Sequence, residues 1–64
     1  MKRKVVCQNG NTVERFYDRR SRSHVVIVHD GQGNQIGDAD YSGNTISMAS
    51  FFYTRIRENG GPKS

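Results

Sequence analysis

His24-Val25-Val26-Ile27-Val28-His29 decides how the rest of this chain is read. Four consecutive β-branched apolar residues favour an extended backbone. Their lack of alternation suggests a strand buried on both faces, or one with a face set against a partner molecule. Downstream, Asp30-Gly31-Gln32-Gly33-Asn34 reads as a hairpin loop, with glycine where positive φ is needed. Gln35 to Tyr41 then returns as the next strand and brings Ile36 near Ile27. Upstream, Lys4 to Gln8 is a short strand ending in Asn9-Gly10, the pair preferred in a two-residue type I′ turn. Such a turn pairs Val6 with Val13 and Cys7 with Thr12. Thr12 to Asp18 follows as a strand with Val13, Arg15 and Tyr17 on one face and Glu14, Phe16 and Asp18 on the other. Arg19-Arg20-Ser21-Arg22-Ser23 is an exposed connection to the central strand.

Beyond Tyr41, Ser42-Gly43-Asn44 offers caps for a helix, and Asn59-Gly60-Gly61-Pro62 stops it with glycine past the end and proline beyond. The fold class is therefore α+β: a three- to four-stranded antiparallel β-meander followed by one C-terminal α-helix packed on the sheet. Strands fall at about 4–8, 12–18, 24–30 and 35–41, the helix at about 45–58, and a flexible tail at 59–64, all in one small domain. At roughly 100° per residue, Ile46, Ala49, Phe52, Tyr53 and Ile56 form the sheet-facing stripe. Met48 and Phe51 then fall on the far side, bracketing Arg55. A flexible thioether and an aromatic beside an arginine are residue types enriched at interfaces. Met48, Phe51 and Arg55 are accordingly the candidate protein-binding anchor.

The chain has 64 residues, so its core is thin, and no second, substrate-holding domain is expected. One cysteine forbids an internal disulfide framework. No apolar run approaches the ~18 residues of a membrane span, and the basic start Met1-Lys2-Arg3-Lys4 precedes only three apolar residues, too few for a signal peptide. A cytoplasmic location without membrane contact is expected. The net charge of +4 is unevenly placed. Residues 1–29 hold seven basic and two acidic side chains, whereas residues 30–64 hold three basic and four acidic ones. Arg15, Tyr17, Arg19, Arg20 and Arg22 form a basic patch interleaved with an aromatic, suited to DNA or RNA phosphates or to an acidic protein. A solvated, solubilising face is the alternative reading.

Other motifs fall away on spacing. Asp38-Ala39-Asp40-Tyr41-Ser42-Gly43 imitates the first half of a calcium loop, but its twelfth position is Ala49 where a bidentate glutamate is needed. Gly31, Gly33 and Gly37 lie between strands, with no helix N-terminus to receive a pyrophosphate. His24 and His29 point to opposite faces of a strand, and with Cys7 they supply too few zinc ligands. Cys7 with a histidine lacks the orienting group and oxyanion hole that nucleophilic catalysis requires. No cofactor or metal is expected, and no enzyme activity.

Arg15-Phe16-Tyr17-Asp18-Arg19, then residues 30–39, then Tyr41-Ser42-Gly43 resemble segments of short accessory proteins carried by bacteriophages and plasmids, a group without an agreed biochemical function. The resemblance spans about residues 15–53. It implies a mobile-element origin, where such proteins often bind and block a host factor, defence enzymes included. The order of strands then helix is also similar, in topology alone, to the arm-binding domains of phage integrases. The first expectation is thus a homodimeric binder that inhibits a host protein, steered by Arg19, Arg20 and Arg22. The second is a nucleic-acid-binding module using an arginine-rich sheet face.

Overall fold

Backbone hydrogen bonds in the computed structural model, which describes residues 2–64, join four strands into one antiparallel sheet. They are β1 (Arg3–Val6), β2 (Thr12–Asp18), β3 (Ser23–His29) and β4 (Asp40–Ser42), in spatial order β1-β2-β3-β4. One helix, α1 (Thr45–Glu58), packs across β2, β3 and β4. The expected α+β architecture is the one observed. Val13, Val26, Cys7, Met48, Phe52 and Ile56 form the core between helix and sheet, with Val5, Val28 and Phe51 packed against it. Val25, on the opposite face among Phe16, Ile27 and Tyr41, is buried too.

The helix ends follow local chemistry. Asn44 caps the start, its Oδ1 accepting from the Ser47 N–H at 2.8 Å. At the other end the Gly60 N–H donates to Arg57 O and the Gly61 N–H to Ile56 O, which is a Schellman closure. Gly60 adopts φ +90°, and a Cβ there would stand 3.0 Å from Gln8 Cβ.

The first hairpin differs from expectation by one residue. Val5, not Val6, pairs with Val13, and Val6 pairs with Thr12. Only Gly10 takes positive φ (+88°), so the turn is not type I′. Instead the Gly10 N–H donates to Cys7 O and the Cys7 N–H to Asn11 O, a three-residue loop with glycine in the left-handed position. Asn9 spends its side-chain oxygen on the Asn11 N–H. A one-residue shift exchanges faces, so Val5 and Cys7 point into the core and Val6 points out. The same turn recurs at Asp30–Asn34, where Asp30 Oδ1 also accepts from the Gln32 and Asn34 N–H groups.

The expected strand at 35–41 shrinks to β4. After a bridge between His29 and Gln35, the Ile36 N–H donates to Val28 O, which places Ile36 beside Val28 and not Ile27. Gly37, at φ +68°, then turns the polar segment away until pairing resumes with Val26↔Asp40. Nor does the segment after α1 run free as a tail. Gln8 N–H donates to Gly61 O, Lys63 N–H donates to Val6 O, and Cys7 bridges to Pro62.

The largest correction concerns the face of α1. Met48, Phe52 and Ile56, four residues apart, are the buried stripe, while Ile46 is 83% and Tyr53 57% exposed. The helix is turned by roughly 60° from the apolar stripe read off the sequence. Polar contacts set this rotation. Arg55 reaches β4, donating to both oxygens of Asp40 at 3.0 and 3.2 Å. One turn on, Asn59 Oδ1 accepts from Asn9 and Asn11 Nδ2. With that row drawn toward β4 and the hairpin loop, Phe52 and Met48 must face the sheet.

Candidate nucleic-acid interface

The sequence assigns Met48 and Phe51 to a partner-binding anchor on the outer face of the helix, and the rotation removes them from it. Met48 is 3% exposed in the core, and Phe51 packs against that core. Arg55 is engaged by Asp40 and by Glu58, whose Oε1 lies 2.8 Å from Nη1. Hydrogen bonds to Asp40, then to Glu58, push its pKa above the ordinary arginine value. It is an internal clamp on the three-residue strand β4.

The basic patch is also rearranged. Arg15 and Tyr17 lie on the helix-covered side of the sheet, sharing it with their cross-strand partners Val26 and His24. Arg19, Arg20 and Arg22 are exposed in the β2–β3 turn, at one end of the sheet and not on its face. Asp18 holds this turn, accepting from the Arg20 N–H and the Ser21 hydroxyl. Arg22 closes it in the left-handed region at φ 54°. The expected arginine-rich sheet face therefore divides into a flank beside the helix and a tip.

The flank contains a residue that sequence reasoning misses. Arg3 stands directly opposite Arg15 across the β1–β2 ladder. Both guanidinium carbons lie over the Phe52 ring, at 5.7 and 5.2 Å from its centroid, and Phe52 is fully covered. Neither arginine has a carboxylate within ion-pair distance among the described residues. Like charges placed directly opposite are destabilising. The Phe52 ring offsets part of this, because its negative face attracts each cation. Arg3 is legible in the sequence only as a unit of charge, since placing it beside Arg15 needs the observed hairpin register.

Exposed aromatics border the pair. Tyr17, two residues along β2 on the same face, is 45% exposed and meets His24 edge to face at 5.2 Å. Tyr53 meets Phe52 edge to face at 5.8 Å. Arg55 ties one flank of the helix to β4, so Tyr53, about 100° around from Phe52, lies on the flank toward β1. The helix starts beside Arg15 and His24, whose side chains share a hollow with Thr45 and Met48. Its first turn holds no acidic residue.

Carboxylates lie mostly elsewhere. Asp30, Asp38, Asp40 and Glu58 occupy the far end of the sheet and the β4 side. Backbone N–H groups of Asn34, then Gln32, hold the Asp30 carboxyl below its usual range. Glu14 is buried on the sheet's open face and paired with Lys2 at 3.1 Å. Cys7 is fully buried, and desolvation pushes its thiol pKa up, opposite to the activation of a nucleophile. His24 and His29 point to opposite faces, as their spacing required. Among the described residues no three His, Cys, Asp or Glu side chains cluster as metal ligands, and no helix is long and apolar enough to cross a membrane.

Comparison with protein-family models, curated proteins and solved structures found no match. The fold itself defines the class: an α+β protein of one four-stranded antiparallel sheet and one C-terminal helix.

Proposed function

We propose that this protein is a non-enzymatic nucleic-acid-binding module that takes backbone phosphates on its Arg3–Arg15 flank and its Arg19–Arg22 tip. The observation that carries this reading is the Arg3↔Arg15 pair, two adjacent cations with no carboxylate partner among the described residues. A phosphate set between them replaces a repulsion with two charge-assisted hydrogen bonds, and arginine's fork suits that geometry. The experiment is fluorescence anisotropy with labelled DNA and RNA across a salt series, on the wild type and on the Arg3→Ala/Arg15→Ala variant. Binding should fall steeply with salt. The variant should bind more weakly and show a slope flatter by about 0.7–0.9 for each phosphate it no longer neutralises. An unchanged slope excludes this pair from phosphate binding.

A second reading, a binder of a host protein as the phage-protein resemblance implies, is favoured by the open side of the sheet. Phe16, Val25, Ile27 and Tyr41 line that side, opposite the helix. Phe16→Ser leaves the basic flank in place. If it abolishes capture of one defined host protein and leaves nucleic-acid binding intact, the protein partner takes precedence.

A further inference from the structure

We infer that the nucleic acid held by this flank is single-stranded, with Tyr53 and Tyr17 stacking bases on either side of the Arg3–Arg15 pair. The inference rests on the nucleic-acid reading above and specifies the form of the strand. Its starting point is the two exposed phenol rings. Tyr53 belongs to the apolar stripe of the sequence, yet 57% of it faces solvent once the helix is turned. Its ring is held edge-on to Phe52, the same ring that carries both guanidinium groups. Tyr17 follows Arg15 on the same face of β2, and its orientation is fixed by His24. Both cations and Tyr53 thus meet one ring, Phe52, with Tyr17 next along the strand from Arg15.

Such a grouping of rings and cations suits a strand whose bases are free, because every base has a face to stack and every linkage a phosphate to bind. A duplex keeps its bases stacked on one another, and is read by a helix or β-ribbon inserted into the major groove. Neither device is available on this flank. The arginine pair lies against Phe52 in the angle between helix and sheet. The open side of the sheet carries Lys2, Lys4 and Glu14 but, among the described residues, no arginine.

The test is anisotropy with oligo(dT), oligo(rU) and a mixed-sequence duplex of equal length, using wild type, Tyr53→Leu and Tyr53→Phe. Circular dichroism checks that each variant folds. The wild type should bind the single strands more tightly than the duplex. Tyr53→Leu should weaken single-strand binding about tenfold and leave the duplex unaffected, while Tyr53→Phe retains affinity. Duplex binding as tight as single-strand binding, with no effect of Tyr53→Leu, overturns the inference and leaves the phosphate reading standing. Absence of binding to any of the three at low salt overturns both.

Discussion

Arg3 and Arg15 face each other across adjacent strands, and both rest on the Phe52 ring. Their mutual repulsion opposes the fold by about 0.2–1 kcal/mol, while each cation–ring interaction contributes about 0.5–1 kcal/mol in the other direction. Arg3→Glu turns the repulsion into an attraction and removes one cation from the ring. The variant should be as stable as the wild type or more so, by roughly 0.5 kcal/mol, while the nucleic-acid binding proposed above should collapse. Thermal melts beside anisotropy check this. A stability loss well above about 1 kcal/mol would show that the ring interaction outweighs the repulsion.

The turned helix predicts an ordering that the sequence alone reverses. Met48→Ala removes a core side chain and should cost about 2–5 kcal/mol. Ile46→Ala, at an exposed position, should stay within about 0.5 kcal/mol of wild type. Urea denaturation measures both. A chain of this size has only about 3–10 kcal/mol in total, so Met48→Ala should remove a large share of it. A larger loss for Ile46→Ala would restore the stripe that the sequence periodicity favours.

Asn59 closes its own helix by donating to Arg55 O at 2.6 Å, and ties that helix end to the first hairpin through two side-chain hydrogen bonds, accepted from Asn9 and Asn11 Nδ2. Asn59→Ala should cost about 1–3 kcal/mol. Amide exchange should accelerate at Gln8 and Lys63 before the β2–β3 ladder is affected. Uniform acceleration across the sheet would mean that the hairpin and helix end do not open as a local unit.

Cys7 supplies the pH dependence. Burial raises its thiol pKa in the folded chain. Its contribution to stability is therefore complete below the unfolded thiol's pKa of about 8.5. It is lost as the pH rises past that value toward the raised folded one, because only the unfolded chain ionises there. Melts of wild type and Cys7→Ala between about pH 7 and 10 should show an alkaline decline in the wild type that is smaller in the variant. Identical declines would show that Cys7 is not the source of the effect.

Sequence reading succeeds where the determinants are local. Asn44 before the helix and the glycine pair after it act within one turn of chain, so the bounds 45–58 are legible, as is β2 at 12–18. It fails where one signal serves two geometries. Asn9-Gly10 fits a type I′ turn and also the observed loop, which the bonds donated to Asn59 by Asn9 and Asn11 and the Cys7–Pro62 bridge accompany. The helix rotation has the same origin, since Arg55 meets an Asp40 fifteen residues away. Both ambiguities reach the site: one hides the Arg3–Arg15 pair, the other presents Met48 as surface and Tyr53 as core.

The excess of cations at the arginine tip and flank over the near-balanced charge of the far end and β4 side, where Arg55 offsets Asp40 and Glu58, has a kinetic consequence. It gives the molecule a permanent electric dipole. The field of a polyanion exerts a torque on it before the two touch, turning the tip and flank forward during approach. Orientation is usually what slows docking below the diffusion limit. With the proposed nucleic acid as partner, the chain should arrive already aligned, and its association rate should fall faster with added salt than its net charge of +4 alone would give.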